Sequence, residues 1–151
     1  MTFADLLRPE AVLLSPPAAD KWELLERLAD AMVASGALPA DRRDEAARAL
    51  EERERCSSTG MERGIAVPHA SLDGLADLAV AVALLPGGLD FACQDRAPAR
   101  VVVALLVPRD QKLRHLQTLT EVARSLSDAA FQERLLGCGS ADQVVALWRG
   151  L

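Results

Sequence analysis

Val101-Val102-Val103-Ala104-Leu105-Leu106-Val107 contains no polar side chain, and neither does the earlier run Leu78–Leu85. A strand with one wet face alternates polar and apolar residues. An unbroken run rich in Val and Leu is what a central strand covered on both faces looks like. Covering both faces of a sheet calls for helices on either side, so these two runs predict an α/β architecture.

The flanking sequence supplies the other elements. Ala11–Ser15 reads as a short strand stopped by Pro16-Pro17. Asp20 is a predicted helix N-cap, with Glu23 at the reciprocal position of a capping box. The helix after it sets Trp22, Leu25, Leu28, Ala29 and Met32 on one face and ends at Gly36. A second helix is expected from about Asp41 to Arg53. Cys56–Gly64 is a polar loop leading into a short strand, Ile65–Val67, which Pro68 ends and His69 follows. Pro86-Gly87-Gly88 predicts a turn and Leu89–Ala92 a further short strand. From Gln111 onward the pattern is helical, with breaks near Asp128 and at Gly137–Ser140. The expectation is one domain over residues 1–151. Its predicted fold is an α/β sandwich with a small mixed sheet flanked by helices on both faces, not a regular doubly wound sheet.

Composition narrows the function. Aromatic residues make up 3% of the chain, Tyr is absent and the formal net charge is −5. Base-stacking and phosphate-backbone readers need aromatics and a basic face, so nucleic acid is not an expected partner. Cys56, Cys93 and Cys138 are odd in number and in no metal-ligand spacing, and they read as reduced thiols. No signal peptide is visible, and Leu75–Pro86 is too short to span a bilayer, so no membrane insertion and a cytoplasmic location are expected.

Two histidines could carry chemistry, His69 and His115. Neutral imidazole is a good nucleophile near neutral pH. His69 follows a Pro at a strand end, and Ser57-Ser58-Thr59-Gly60 upstream offers hydroxyls and backbone amides of the kind that hold phosphate oxygens. His115 opens the long helix in line with Leu119, Val122 and Leu126. That place fits both a packed core residue and a donor to an anion at a helix N-terminus.

Arg53-Glu54, Ser58-Thr59-Gly60, Gly64-Ile65-Ala66-Val67-Pro68-His69, Leu89-Asp90-Phe91, the strand ending at Pro108 and His115-Leu116 together resemble a known family. These residues are similar to the active-site segments of the IIA components of the bacterial phosphotransferase system (PTS), fructose/mannitol branch. That branch includes the stand-alone nitrogen-regulatory IIA proteins. The resemblance covers essentially the whole chain. It implies that His69 accepts a phosphoryl group from the phosphocarrier protein HPr or its nitrogen-branch counterpart. It further implies that His115 is the neighbouring donor and Arg53 the charge partner, with Ser58, Thr59 and Gly64 in the phosphate loop. The onward partner would be a IIB component or a regulated protein. Neither a metal nor a cofactor is implied, and the chain would be a phosphohistidine carrier rather than a free-standing enzyme. The sequence departs from the family pattern where Glu62-Arg63-Gly64 replaces the usual Gly-Asn-Gly and where Ala70 replaces the Gly after the histidine. A stand-alone nitrogen-regulatory role is the expectation, and the rival readings are a sugar-specific (fructose/mannitol-type) IIA passing phosphate to a IIB component and a regulatory docking module that keeps the fold without being phosphorylated.

Overall fold

Val101–Val107 lies inside the longest strand pair of the sheet in the computed structural model, which describes residues 2–151. The strands are β1 (Val12–Leu14), β2 (Ile65–Ala66), β3 (His69–Leu72), β4 (Ala79–Leu89) and β5 (Ala99–Pro108). β4 and β5 pair antiparallel in the centre, β1 lies parallel to β4, and β2 and β3 both lie parallel to β5. The sheet is therefore mixed. Every residue from Leu78 to Leu85 and from Val101 to Val107 is buried. Successive strand residues point to opposite faces, so the sheet is covered on both sides.

Among the described residues six α-helices provide that cover: α1 (Phe3–Leu6), α2 (Lys21–Ala34), α3 (Arg43–Cys56), α4 (Lys112–Leu126), α5 (Ala129–Leu136) and α6 (Ala141–Arg149). α2 packs on α3 and β4, α3 on β3, α4 and α5 on β5, and α6 on β1. Trp148 joins the chain ends, its ring 5.0 Å from Phe3 and 5.3 Å from Phe131. No helix among the described residues is long and apolar enough to cross a membrane.

Asp20 caps α2 by accepting the Glu23 N–H at 2.9 Å. The Glu23 carboxylate reaches one residue further out than a capping box requires and accepts from the Ala19 N–H. Gly36, at φ +82°, closes the helix. Its N–H bonds to Val33 O and the Ala37 N–H to Met32 O, which satisfies the last carbonyls in a Schellman pattern.

Three expectations change. Pro86-Gly87-Gly88 is not a turn, because β4 runs through it to Leu89. The pairing with β5 shifts register between Leu84 and Leu89, so these residues form an irregularity within the strand. Gly88 has φ +77°, and a Cβ there would lie 2.6 Å from Pro98 Cβ. Leu89–Ala92 is not a separate strand: Leu89 ends β4, and Asp90 folds back to accept the Ala92 N–H. His69 does not trail a strand but opens β3.

β2 and β3 are one edge line broken at a single point. Ile65 pairs with Val101, Ala66 with Val102, and His69 with Leu105, so the register on β5 is the same on both sides of the break. Val67-Pro68 is the interruption, since proline has no N–H to give the ladder. The Pro68 carbonyl still accepts the Leu105 N–H at 3.0 Å, which pins the break to the sheet.

Candidate functional site

The segment between α3 and His69 is a narrow hairpin. Met61 N–H bonds to Ile65 O at 2.8 Å, Val67 N–H to Thr59 O at 3.1 Å, and Gly60 bridges Ala66. Its base is tied to α3 by Glu54, whose buried carboxylate accepts both the N–H of Thr59 (2.7 Å) and its hydroxyl (2.8 Å). Ser58 Oγ donates to Phe91 O and accepts the Gly60 N–H. Gly60 packs so closely on this segment that a Cβ would sit 2.8 Å from Phe91 O and 2.9 Å from Cys93 Sγ. The Ser58 and Thr59 hydroxyl hydrogens are thus committed inside the loop.

The tripeptide Glu62-Arg63-Gly64 forms the hairpin tip. Arg63 has φ +66° and Gly64 φ +78°, both left-handed. Asn tolerates that region better than Arg, which gives a backbone reason for the Asn of the family pattern. Arg63 Nη1 donates to Ser127 O, its N–H bonds to Asp95, and its side chain lines no cavity that His69 lines. Gly64 is structural too, its carbonyl taking the N–H groups of Arg100 and Val101.

His69 is half-buried, with Nδ1 2.8 Å from Val67 O. A carbonyl only accepts, so Nδ1 carries the hydrogen and the neutral ring keeps its free lone pair on Nε2. The ring lines two adjoining cavities, of about 550 Å³ and about 380 Å³, and Arg53, Leu116 and Leu119 line both. Arg53 Nη1 donates to Ser57 O at 2.8 Å. Ala70, Arg109 and Lys112 belong to the larger cavity, and Ser58, Thr59 and Gln94 to the smaller. Three cations, Arg53, Arg109 and Lys112, therefore surround a space whose one carboxylate is Glu52, in a chain that is acidic as a whole. Arg109 also pairs with Asp73 at 3.3 Å. No local sequence signal marks Arg109 or Lys112. The parallel register that sets Leu72 against Pro108 brings the start of the next helix to the His69 strand.

His115 sits differently. It is 4% exposed and lines neither cavity. Its Nε2 is 3.2 Å from Gln111 Oε1 and 3.9 Å from Asp77 Oδ1, and its buried Nδ1 has no partner. Burial pushes the ring below the ordinary imidazole value, Asp77 pulls it up, and Arg114 pushes it down. Among the described residues, no group of three or more His, Cys, Asp or Glu side chains is placed to hold a metal ion.

The half-buried imidazole, one nitrogen committed to a carbonyl, thus stands at the break of an edge strand in cavities lined with Arg53, Arg109 and Lys112. Residues 5–149 match the family model described as phosphoenolpyruvate-dependent sugar phosphotransferase system, EIIA 2, and the chain belongs to that family. It is 38% identical over 135 residues to the fructose-specific EIIA component of Haloferax volcanii, covering 89% of this chain and 86% of that protein. It is 32% identical over 137 residues to a nitrogen regulatory protein of Pseudomonas aeruginosa, covering 91% and 88%. The crystal structure of nitrogen regulatory protein IIA-Ntr from Neisseria meningitidis superposes with a TM-score of 0.85 at 25% identity, over 95% of this chain and 97% of that one.

Proposed function

We propose that the whole chain acts as one phosphohistidine carrier domain, with His69 Nε2 the acceptor. The observation that carries this reading is the Nδ1–H bond to Val67 O, which leaves the Nε2 lone pair free beside Arg53. In the transfer, Nε2 attacks the phosphorus held on an HPr-type protein, and a new N–P bond forms. The donor's P–N bond breaks with its electron pair returning to the donor imidazole. Such a step asks of the protein positioning and charge stabilisation rather than covalent chemistry.

The incoming group brings nearly two negative charges. Arg53 offers a planar fork suited to phosphate oxygens, and Arg109 and Lys112 add charge from the other wall. His115 lines neither cavity, so it joins in only if the loaded site reaches its buried Nδ1 and that nitrogen is protonated. With Nε2–H donated to Gln111, its Nδ1 must gain a proton before it can donate, and both the phosphoryl group and Asp77 favour that gain. Ser58, Thr59 and Gly64 serve by holding the loop's shape.

As to branch, we favour a nitrogen-regulatory role, supported by the likeness to IIA-Ntr over nearly the whole chain. A fructose-type role, passing phosphate to a IIB component, is favoured by the 38% identity to the Haloferax protein. The test of the carrier reading is incubation with phosphoenolpyruvate, enzyme I and an HPr-type protein. Intact mass should rise by one acid-labile phosphate, and His69→Ala should take none. Full labelling of His69→Ala overturns the assignment. Chasing the labelled protein with a fructose-type IIB then separates the branches, since only the transport reading expects rapid loss of label.

A further inference from the structure

A carboxylate stripped of water is unfavourable unless hydrogen bonds replace the lost hydration. Glu54 has a side chain with 0% exposure, and both hydrogens it accepts come from one residue, Thr59. Lys21 Nζ stands 4.0 Å away and lies over the rings of Trp22 and Phe91. For fold stability alone, an apolar side chain at such a place is often as good as a buried ion pair. What Glu54 does here is fix Thr59 from two sides.

Thr59 in turn fixes the acceptor. Its carbonyl takes the Val67 N–H at 3.1 Å, and the Val67 carbonyl takes the His69 Nδ1–H at 2.8 Å. Val67 lies in the gap between β2 and β3, where neither strand's pairing with β5 holds it. The hairpin side of that gap is held by Thr59, and β5 holds the other side through Pro68 O. We propose that Glu54 is a positioning residue for His69: by clamping Thr59 it sets the Val67 carbonyl, and through it the Nδ1–H tautomer that frees Nε2. Charge does not need to pass along this path, because the N–H and C=O of Val67 belong to different peptide units. The effect is geometric.

The kinetic part rests on the carrier reading above; the tautomer part does not. The experiment compares wild type, Glu54→Ala, Glu54→Gln and Thr59→Val as full chains, each checked for folding by thermal melting. The ¹⁵N shifts of the His69 ring report which nitrogen bears hydrogen. Wild type should show Nδ1–H. Glu54→Ala should move towards Nε2–H, the form a free imidazole side chain prefers in water, and Thr59→Val, which loses the hydroxyl bond but keeps the N–H bond to Glu54, should move part of the way. Phosphoryl acceptance per folded molecule should slow by about ten- to a hundred-fold in Glu54→Ala, the scale of losing a positioned reactant, and by less in Thr59→Val. Glu54→Gln keeps an acceptor for the Thr59 N–H and should stay within about threefold of wild type, as befits losing part of one hydrogen-bonded pair. Should Glu54→Ala fail to fold, Thr59→Val decides alone, since it removes the hydroxyl and keeps the shape. A folded Glu54→Ala or Thr59→Val with a wild-type tautomer overturns the proposal. A wild-type chain that shows Nδ1–H but takes no phosphate overturns the carrier reading and leaves the positioning result standing.

Discussion

The two histidines stand in opposite circumstances, though both belong to the sequence pattern that led to them. His69 opens an edge strand at its break, half-buried, with one nitrogen bonded to Val67 O and the ring beside Arg53, Arg109 and Lys112. His115 is buried on α4 among Gln111, Asp77 and core residues, with one nitrogen unpaired. The first is prepared for a ligand by its hydrogen bonds. The second has its titration pushed below the ordinary imidazole value, chiefly by burial. One fold thus sets its two histidines apart by burial and by which nitrogen is committed.

The largest effect expected is at Arg53, which shares both cavities with His69. Arg53→Met keeps the apolar stem and removes the fork. It should lower the phosphorylated fraction, equilibrated against a phosphorylated carrier, by about ten- to a hundred-fold, the value of one charge-assisted hydrogen bond. Arg63→Asn in the same assay should leave that fraction nearly unchanged. A larger loss from Arg63→Asn would place the charge partner at the hairpin tip and break the contrast drawn here.

Next comes the rigidity of the loop that presents His69. Gly60→Ala drives a methyl against Phe91 O and Cys93 Sγ. It should destabilise the fold by about 1–3 kcal/mol, the usual range for overpacking, as read by denaturant unfolding. No loss of stability would mean that the loop is free to move and that the clamp on Thr59 holds nothing.

His115 should show itself in pH dependence. Its folded value lies below the ordinary 6.5, chiefly through burial, so the unfolded chain binds the proton more readily. Its contribution to stability is whole above about pH 6.5 and is lost as pH falls towards the lower folded value. Unfolding free energies measured from pH 7 down to 5 should therefore fall in wild type, with a shallower slope in His115→Gln. Identical slopes would remove the burial argument for His115. The smallest effect is at the tip, where Arg63→Gly relieves a left-handed backbone and should stabilise by about 0.5–1 kcal/mol.

Much of this was legible in the chain itself, for physical reasons that also mark the limit. Val101–Val107 and Leu78–Leu85 announce a sheet covered on both faces because burial on both sides leaves no place for a polar residue. Pro86-Gly87-Gly88 misleads because the residues that allow a turn also allow a strand irregularity, and only pairing with β5 decides. The hydroxyls of Ser58 and Thr59 look free in sequence. Their partners, Phe91 O and the Glu54 carboxylate, become neighbours only when the hairpin docks. Arg109 and Lys112 come to share a cavity with His69 through strand register, which no local pattern encodes.

The central claim is that the Val67 carbonyl holds His69 by Nδ1 and so leaves Nε2 as the reacting atom. It is tested most directly by ³¹P and ¹⁵N NMR of the ¹⁵N-labelled protein phosphorylated through an HPr-type donor. A single phosphoramidate is expected, with phosphorus coupled to Nε2 of His69. Coupling to Nδ1, or phosphate on His115, would contradict it.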